Sequence, residues 1–180
     1  MTTPGTAPAL PPPEFSRPVD VRQIEGRTMT LEAGEAERKA LAARFGLVRI
    51  DRLEAELLLS RDGDAVNAAG TLSADIVQSC AVSAEDLPVA IAEPVAFRFV
   101  PEGGQHAPDE EIELEADDLD EIPYAGATID LGEAVAQSLA LAIDPFATGP
   151  GAEEARRIAG MLDEQPSGPF AALAALKKKD

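Results

Sequence analysis

The feature that most constrains the fold is a change of hydrophobic period in the middle of the chain. From Leu47 to Phe99 apolar residues recur at every second position, which is the period of strands with one buried face. The first break, Asp62-Gly63-Asp64, is a hairpin signal, and the second is Glu85-Asp86. A bulge is expected near Arg52, and Pro94 is expected to kink the third run or place it at an edge. These three runs predict an antiparallel β meander.

Helical periodicity flanks the meander on both sides. The first helix is predicted to begin at Thr30, as N-cap, and to stop at Gly46. Asp130 is predicted to cap a second helix, with Glu133 at the capping-box distance, and Pro145 ends it. The fold class is therefore α+β: an antiparallel β meander with an N-terminal helix and C-terminal helices packed on it, and a long acidic loop.

Composition along the chain suggests three parts. Residues 1–14 contain five prolines and predict a disordered leader. Residues 15–150 form the expected α+β domain, which includes an aperiodic acidic loop at 101–121. Residues 151–180 are expected to be a helical extension with a basic tail. Two further short strands are predicted, at 15–21 and 122–129.

Charge is distributed unevenly. The chain has 33 acidic and 15 basic residues, a formal charge of −18, yet Phe99 to Ala155 holds fifteen acids and no Lys or Arg. Such a run is typical of a solvated loop, or of a docking surface for a basic partner. Direct nucleic-acid binding is disfavoured, because acidic surfaces repel phosphate. The candidate binding residues in this segment are Asp117, Asp118, Asp120 and Glu121.

The sequence offers little catalytic chemistry. The only histidine, His106, lies in the acidic loop, and the only cysteine, Cys80, lies within a predicted strand. Cys80 is interpreted as a half-buried structural residue, with a reactive or metal-binding role as the alternative. We predict no catalytic residue, no metal and no cofactor. Without a signal peptide or an apolar run long enough to span a bilayer, a cytoplasmic location is expected.

Three stretches in order resemble the YceD family, the large ribosomal RNA subunit accumulation proteins. The first, Ser79 to Pro88, contains Cys80 and Ser83. The second is Ile129-Asp-Leu-Gly-Glu-Ala-Val135, with Leu139-Ala-Leu-Ala-Ile-Asp-Pro145 after it. The third, Gly168 to Lys177, contains Pro169, Phe170, Leu173 and Leu176. Together the similarity covers roughly residues 15–178.

The resemblance implies a non-catalytic role in ribosome biogenesis and accumulation of large-subunit ribosomal RNA. Many members of the family carry two cysteines in the first stretch, and here Ser83 stands where the second would be. A lone Cys80 cannot supply the usual four protein ligands of zinc. The stretch is therefore expected to be structural or a contact surface. Candidate binding residues from these stretches are Cys80, Ser83, Pro169, Phe170, Leu173 and Leu176.

The expected partner is a basic ribosomal protein or a pre-ribosomal particle, because the acidic segment suits a basic protein better than RNA. Two alternatives stay open. One is a metal-dependent hydrolase that uses the acidic loop. The other is direct binding of ribosomal RNA through Arg38, Lys39, Arg44, Arg49, Arg52 and the lysine tail.

Overall fold

The structure is a computed structural model that describes residues 13–102 and 121–160. The chain divides into two compact units. The first comprises residues 1–78 and 88–143, and the second comprises residues 79–87 and 144–180. The α+β class predicted from the sequence is confirmed. Residues 1–12 of the predicted leader, residues 103–120 of the acidic loop and the predicted helix around Phe170 lie outside the described residues. Glu14, at the end of the predicted leader, is described and is paired with Arg44.

The first unit is built on a mixed sheet of five strands, in the spatial order β2 (Thr28–Glu32), β3 (Arg49–Asp62), β4 (Ala65–Ser79), β5 (Asp86–Pro101) and β6 (Glu121–Tyr124). The antiparallel pairs β2–β3 and β3–β4 run along most of their lengths, whereas β6 pairs parallel with the last four residues of β5.

The long hairpin β3–β4 follows the sequence pattern closely. Gly63 has a positive φ of 61° in the predicted turn, and the register shifts between Ile50 and Arg52, where a bulge was expected. Gly70 lies in β4 opposite Leu57, and a Cβ there would collide with the main-chain carbonyl of Glu56. Glycine at this position therefore permits a close approach of the two backbones.

The first helix, α1 (Glu35–Phe45), begins later than the sequence predicted. Thr30 was wrong as an N-cap, since it lies inside β2, and Gly34 occupies the cap position instead. The Glu37 carboxylate accepts the Gly34 N–H at 2.7 Å, so the first turn is capped by a side chain inside the helix. The predicted stop is confirmed, because Gly46 is left-handed with φ 68°.

The second helix, α2 (Leu131–Ala142), begins where the sequence predicted. Asp130 is its N-cap and accepts hydrogen bonds from the amides of Gly132 and Glu133. The single strand predicted at 122–129 is two strands in the structure, since a turn with a positive φ at Gly126 separates β6 from β7 (Thr128–Asp130). β7 pairs antiparallel with β1 (Pro18–Asp20) in a separate two-stranded sheet.

One hydrophobic core joins these elements of the first unit. Each long strand contributes alternate residues, and both helices contribute one face. Aliphatic residues dominate, as the low aromatic content requires, and no described helix is long and apolar enough to cross a membrane. The largest fully buried side chains are Phe15, Ile24, Leu31, Leu41, Leu53, Leu57, Leu59, Leu72, Ile76, Phe99, Ile129 and Leu131.

The described part of the second unit consists of the turn at residues 79–87 and the segment 144–160, which holds the short helix α3 (Ala152–Ile158). The Ala81 N–H donates to the carbonyl of Ala147 at 3.0 Å and joins these two pieces. Phe146 and Ile158 are 80 % and 75 % exposed within this small unit. The division into domains at residue 150 stays a prediction.

Candidate functional site

The turn that follows β4 is organised around the thiol of Cys80. The Cys80 N–H donates to the carbonyl of Glu85 at 2.8 Å, and the Ala84 N–H donates to the carbonyl of Cys80 at 3.0 Å. Ala84 has a positive φ of 59°, which is uncommon for a residue other than glycine and occurs here within the turn. The sulfur itself accepts the N–H groups of Ser83 at 3.4 Å and Gly149 at 3.3 Å. The thiol therefore fastens the turn to the segment that follows residue 144.

These donors change the acidity of the thiol. Hydrogen bonding from the Ser83 side chain, followed by the amides of Gly149, Ser83 and Val82, lowers the pKa of Cys80 to about 6. Donors aimed at sulfur stabilise the thiolate, and a helix or metal is not required for that effect. The residue is nevertheless buried, with 4 % of its surface exposed. Its described contacts tie the backbone together, which agrees with a structural role, and a binding role for Cys80 and Ser83 stays a prediction.

Next to the thiol, the Glu85 carboxylate completes the turn. Its Oε2 lies 3.0 Å from the Ser83 Oγ, so the carboxylate and the Cys80 sulfur compete for the single proton of that hydroxyl. The same carboxylate packs so closely against Gly151 that a Cβ at that position would overlap it. In the run Thr148-Gly149-Pro150-Gly151, the Gly149 amide thus donates to the Cys80 sulfur. Gly151 leaves room for the Glu85 carboxylate because it has no side chain.

The second family-like stretch, around Asp130, forms a cluster of hydrogen bonds at the start of α2. Asp130 Oδ1 accepts the backbone N–H of Arg17 at 2.7 Å, and Oδ2 accepts the hydroxyl of Ser16 at 2.6 Å. Together with the two capping bonds to α2, these contacts hold the chain just before β1 across the helix start. A Cβ on Gly132 would lie 2.5 Å from the Phe15 carbonyl oxygen. Asp130 and Gly132 are therefore explained by packing within the unit.

An ion pair between Arg17 and Glu37 links this hydrogen-bond cluster to α1. Arg17 donates through both terminal nitrogens to the carboxylate of Glu37, at 2.6 and 2.8 Å, and its Nη2 also donates to the carbonyl of Glu32 at 2.8 Å. The Arg17 hydrogen bonds are the main cause of the lowered pKa of Glu37. The guanidinium lies 4.5 Å from the centre of the Phe15 ring, in cation–π contact.

Of the acidic candidate residues, the described part of the chain contains Glu121. It begins β6, and its carboxylate lies 3.4 Å from Nε of Arg98, which also contacts Asp62 on the neighbouring hairpin. The residues outside the described ranges are Asp117, Asp118, Asp120, Pro169, Phe170, Leu173 and Leu176. Within residues 13–102 and 121–160, no group of three or more His, Cys, Asp or Glu residues is placed to hold a metal ion.

A family model described as "Large ribosomal RNA subunit accumulation protein YceD" matches residues 68–177, which is more than half of the chain. The chain belongs to the YceD family. The resemblance inferred from the sequence is thereby confirmed, and the matched range contains all three stretches on which it rested. No curated protein and no solved structure matches the chain significantly.

Membership in the YceD family supports a ribosome-related role. The family is named for accumulation of a ribosomal RNA subunit and not for a reaction. The match begins within β4, so it contains the Cys80 turn and α2 but leaves out β2, α1 and β3. Two strands of the sheet and the first helix therefore lie outside the residues that the family model matches.

Sequence reasoning missed two features that the structure brings to notice. One is the strand β2, which lies where the sequence predicted a helix start. Thr28-Met-Thr-Leu-Glu32 alternates in polarity and contains β-branched residues, a pattern that indicates a strand. The other is the amide of Gly149, which contacts Cys80 from 69 residues away. No local sequence signal specifies such a contact.

Proposed function

We propose that this YceD-family protein is a non-catalytic ribosome-biogenesis factor that binds a basic large-subunit ribosomal protein, or the pre-ribosomal particle that carries one. The family match is the observation that supports a ribosome-related role. The strongly acidic character of the chain supports the choice of a basic partner, since opposite fields speed encounter and select against like-charged surfaces.

Three of the five described basic residues considered for RNA binding are already paired with carboxylates, which favours a protein partner over RNA. Of the cationic residues considered for RNA binding, Arg44 is paired with Glu14 and Glu133, at 2.9 Å each. Arg52 is paired with Glu54 and Asp75, and Arg49 is paired with a neighbouring aspartate. A phosphate group would have to displace these carboxylates. Loss of the existing ion pairs would offset the electrostatic free energy that normally drives binding to a nucleic-acid backbone.

The experiment is copurification of the tagged full chain from bacterial lysate at low and high salt, with and without nuclease, followed by mass spectrometry. We expect a basic large-subunit ribosomal protein to remain bound to the chain after nuclease treatment and to be released at high salt. Recovery of ribosomal RNA that loses all associated ribosomal protein after nuclease treatment would contradict the proposal and favour direct RNA binding.

A variant neutralised in the acidic segment tests where the partner binds. The matched control removes the same four negative charges at exposed positions elsewhere, so both proteins have equal net charge. A selective loss of the ribosomal protein by the first variant supports docking on the acidic segment. Equal retention by both returns that segment to solvation alone. The test variant is D117N/D118N/D120N/E121Q and the control is E25Q/D86N/E93Q/E153Q.

A further inference from the structure

The strand β2 leaves one row of backbone groups open at the edge of the sheet. It pairs with β3, and the bonds from Leu59 N–H to the Arg27 carbonyl and from Ala33 N–H to the Leu53 carbonyl fix the phase of the ladder. In that phase the N–H and C=O groups of Thr28 and Thr30 point away from β3. Among the described residues these groups have no backbone partner.

The open stretch has a defined end. The carbonyl of Glu32, which points in the same direction, is already taken by Nη2 of Arg17. The available edge therefore runs from Thr28 to Thr30, with the Glu32 N–H as its last donor. Unpaired backbone groups of this kind are what strand addition requires, since an extended peptide then pairs with the sheet through its main chain.

Beside this edge lies a shallow groove on the outer face of the sheet. Its volume is about 620 Å³, and alternate residues of three strands form it. Leu58, opposite Thr28, is 55 % exposed there and supplies an apolar contact. The other lining side chains that matter here are Thr30, Glu54, Glu56 and Thr71.

The carboxylates on this face of the sheet favour binding of cationic side chains. Glu32 lies directly opposite Glu54 in the register, at a pair that lacks mutual backbone bonds, where side chains come closest. Like charges so placed are destabilising. Arg52 pairs with Glu54, whereas Glu32 and Glu56 have no ion pair within the described ranges.

We propose that the β2 edge binds an extended basic polypeptide segment of a partner protein by strand addition. The partner backbone pairs with Thr28 and Thr30, and its alternate Lys or Arg side chains lie over Glu32 and Glu56. Neighbouring strands are about 4.8 Å apart, so long side chains of an added strand reach both carboxylates. This inference rests on the proposed function, to which it adds a binding mode and a place outside the family-matched residues.

The test uses the full chain and a labelled peptide of about eight residues, alternating Lys and Thr, with blocked ends. A second peptide of the same charge carries N-methyl groups on alternate residues, which remove the N–H groups needed for pairing. We expect the methylated peptide to bind about tenfold more weakly, since several main-chain bonds are lost. Equal binding of both peptides would overturn strand addition without any change to the protein.

Protein variants locate the site. Thr30→Pro removes an outward N–H while leaving the bonds to β3, and about fivefold weaker binding is expected. The double variant E32Q/E56Q is expected to bind about tenfold more weakly at low salt, with the difference shrinking as salt rises. The control D86N/E93Q removes equal charge on β5 and is expected to change binding less than about twofold.

Two measurements complete the test. The stability of the variant excludes misfolding, and copurification separates this inference from the proposed function. E32Q/E56Q is expected to be at least as stable as the natural chain, because it relieves repulsion, so weaker binding cannot be attributed to misfolding. If Thr30→Pro and E32Q/E56Q both bind the peptide normally, the edge site is wrong, and copurification of a basic ribosomal protein would still support the proposed function. If the edge binds peptide as expected but no ribosomal protein copurifies, the proposed function fails and the edge site stands.

Discussion

Gly132 offers the sharpest test of how the second family-like stretch works. In the second position of α2, alanine would ordinarily stabilise the helix by about 1 kcal/mol relative to glycine. Here the added Cβ would lie 2.5 Å from the Phe15 carbonyl oxygen and 2.9 Å from the Arg17 nitrogen. Both obstacles are main chain, so no rotation of a side chain can relieve the contact.

The size of the effect follows from what must move. Overpacking of this kind costs about 1–3 kcal/mol. Retreat of the chain also stretches the 2.7 Å bond from the Arg17 N–H to Asp130, and bonds to charged groups contribute about 1.5–3 kcal/mol. After the gain in helix propensity, we expect Gly132→Ala to lower the free energy of unfolding by about 1.5–5 kcal/mol.

Urea unfolding followed by circular dichroism measures this change. The matched control is Gly34→Ala, because a Cβ there would meet Glu37 Oε2 at an ordinary 3.6 Å, and we expect a change below about 1 kcal/mol. A Gly132→Ala protein as stable as the natural chain would refute the close packing of residues 15–17 over α2.

Three further outcomes are expected. Gly70→Ala should lower the free energy of unfolding by about 2 kcal/mol or more, because its Cβ would collide with the Glu56 carbonyl; unchanged urea unfolding would contradict that contact. The lowered pKa of Cys80, about 6 against 9.0, stabilises the fold above the unfolded value, and this contribution is lost as pH falls through 6. Unfolding of Cys80→Ala across pH 5.5–9 should lack that rise, and parallel curves for both proteins would exclude it. Arg44→Met should cost only about 1 kcal/mol by thermal unfolding, since its pair with Glu133 is partly exposed; a loss above about 3 kcal/mol would mean that the pair is more buried than its 34 % and 25 % exposures indicate.

How much of this could be predicted depends on the range of the interaction. The hairpin at Gly63, the bulge before Arg52 and the Asp130 cap were all predicted correctly, because each is specified by residues within a few positions. The start of α1 was predicted wrongly at Thr30. Thr and Glu suit both a helix cap and a strand, and pairing with β3 decided between them.

By itself, the sequence determined the α+β class, the long hairpin, both principal helices and the family, because period, turn chemistry and motif order are local properties of the chain. Tertiary structure alone decided that Gly149 meets the Cys80 sulfur, that residues 15–17 cross α2 at Gly132, and that β2 lies at the sheet edge. Each of these depends on groups that are distant in sequence and become neighbours only when the core forms. The backbone groups available at an edge likewise follow from which strands have already paired.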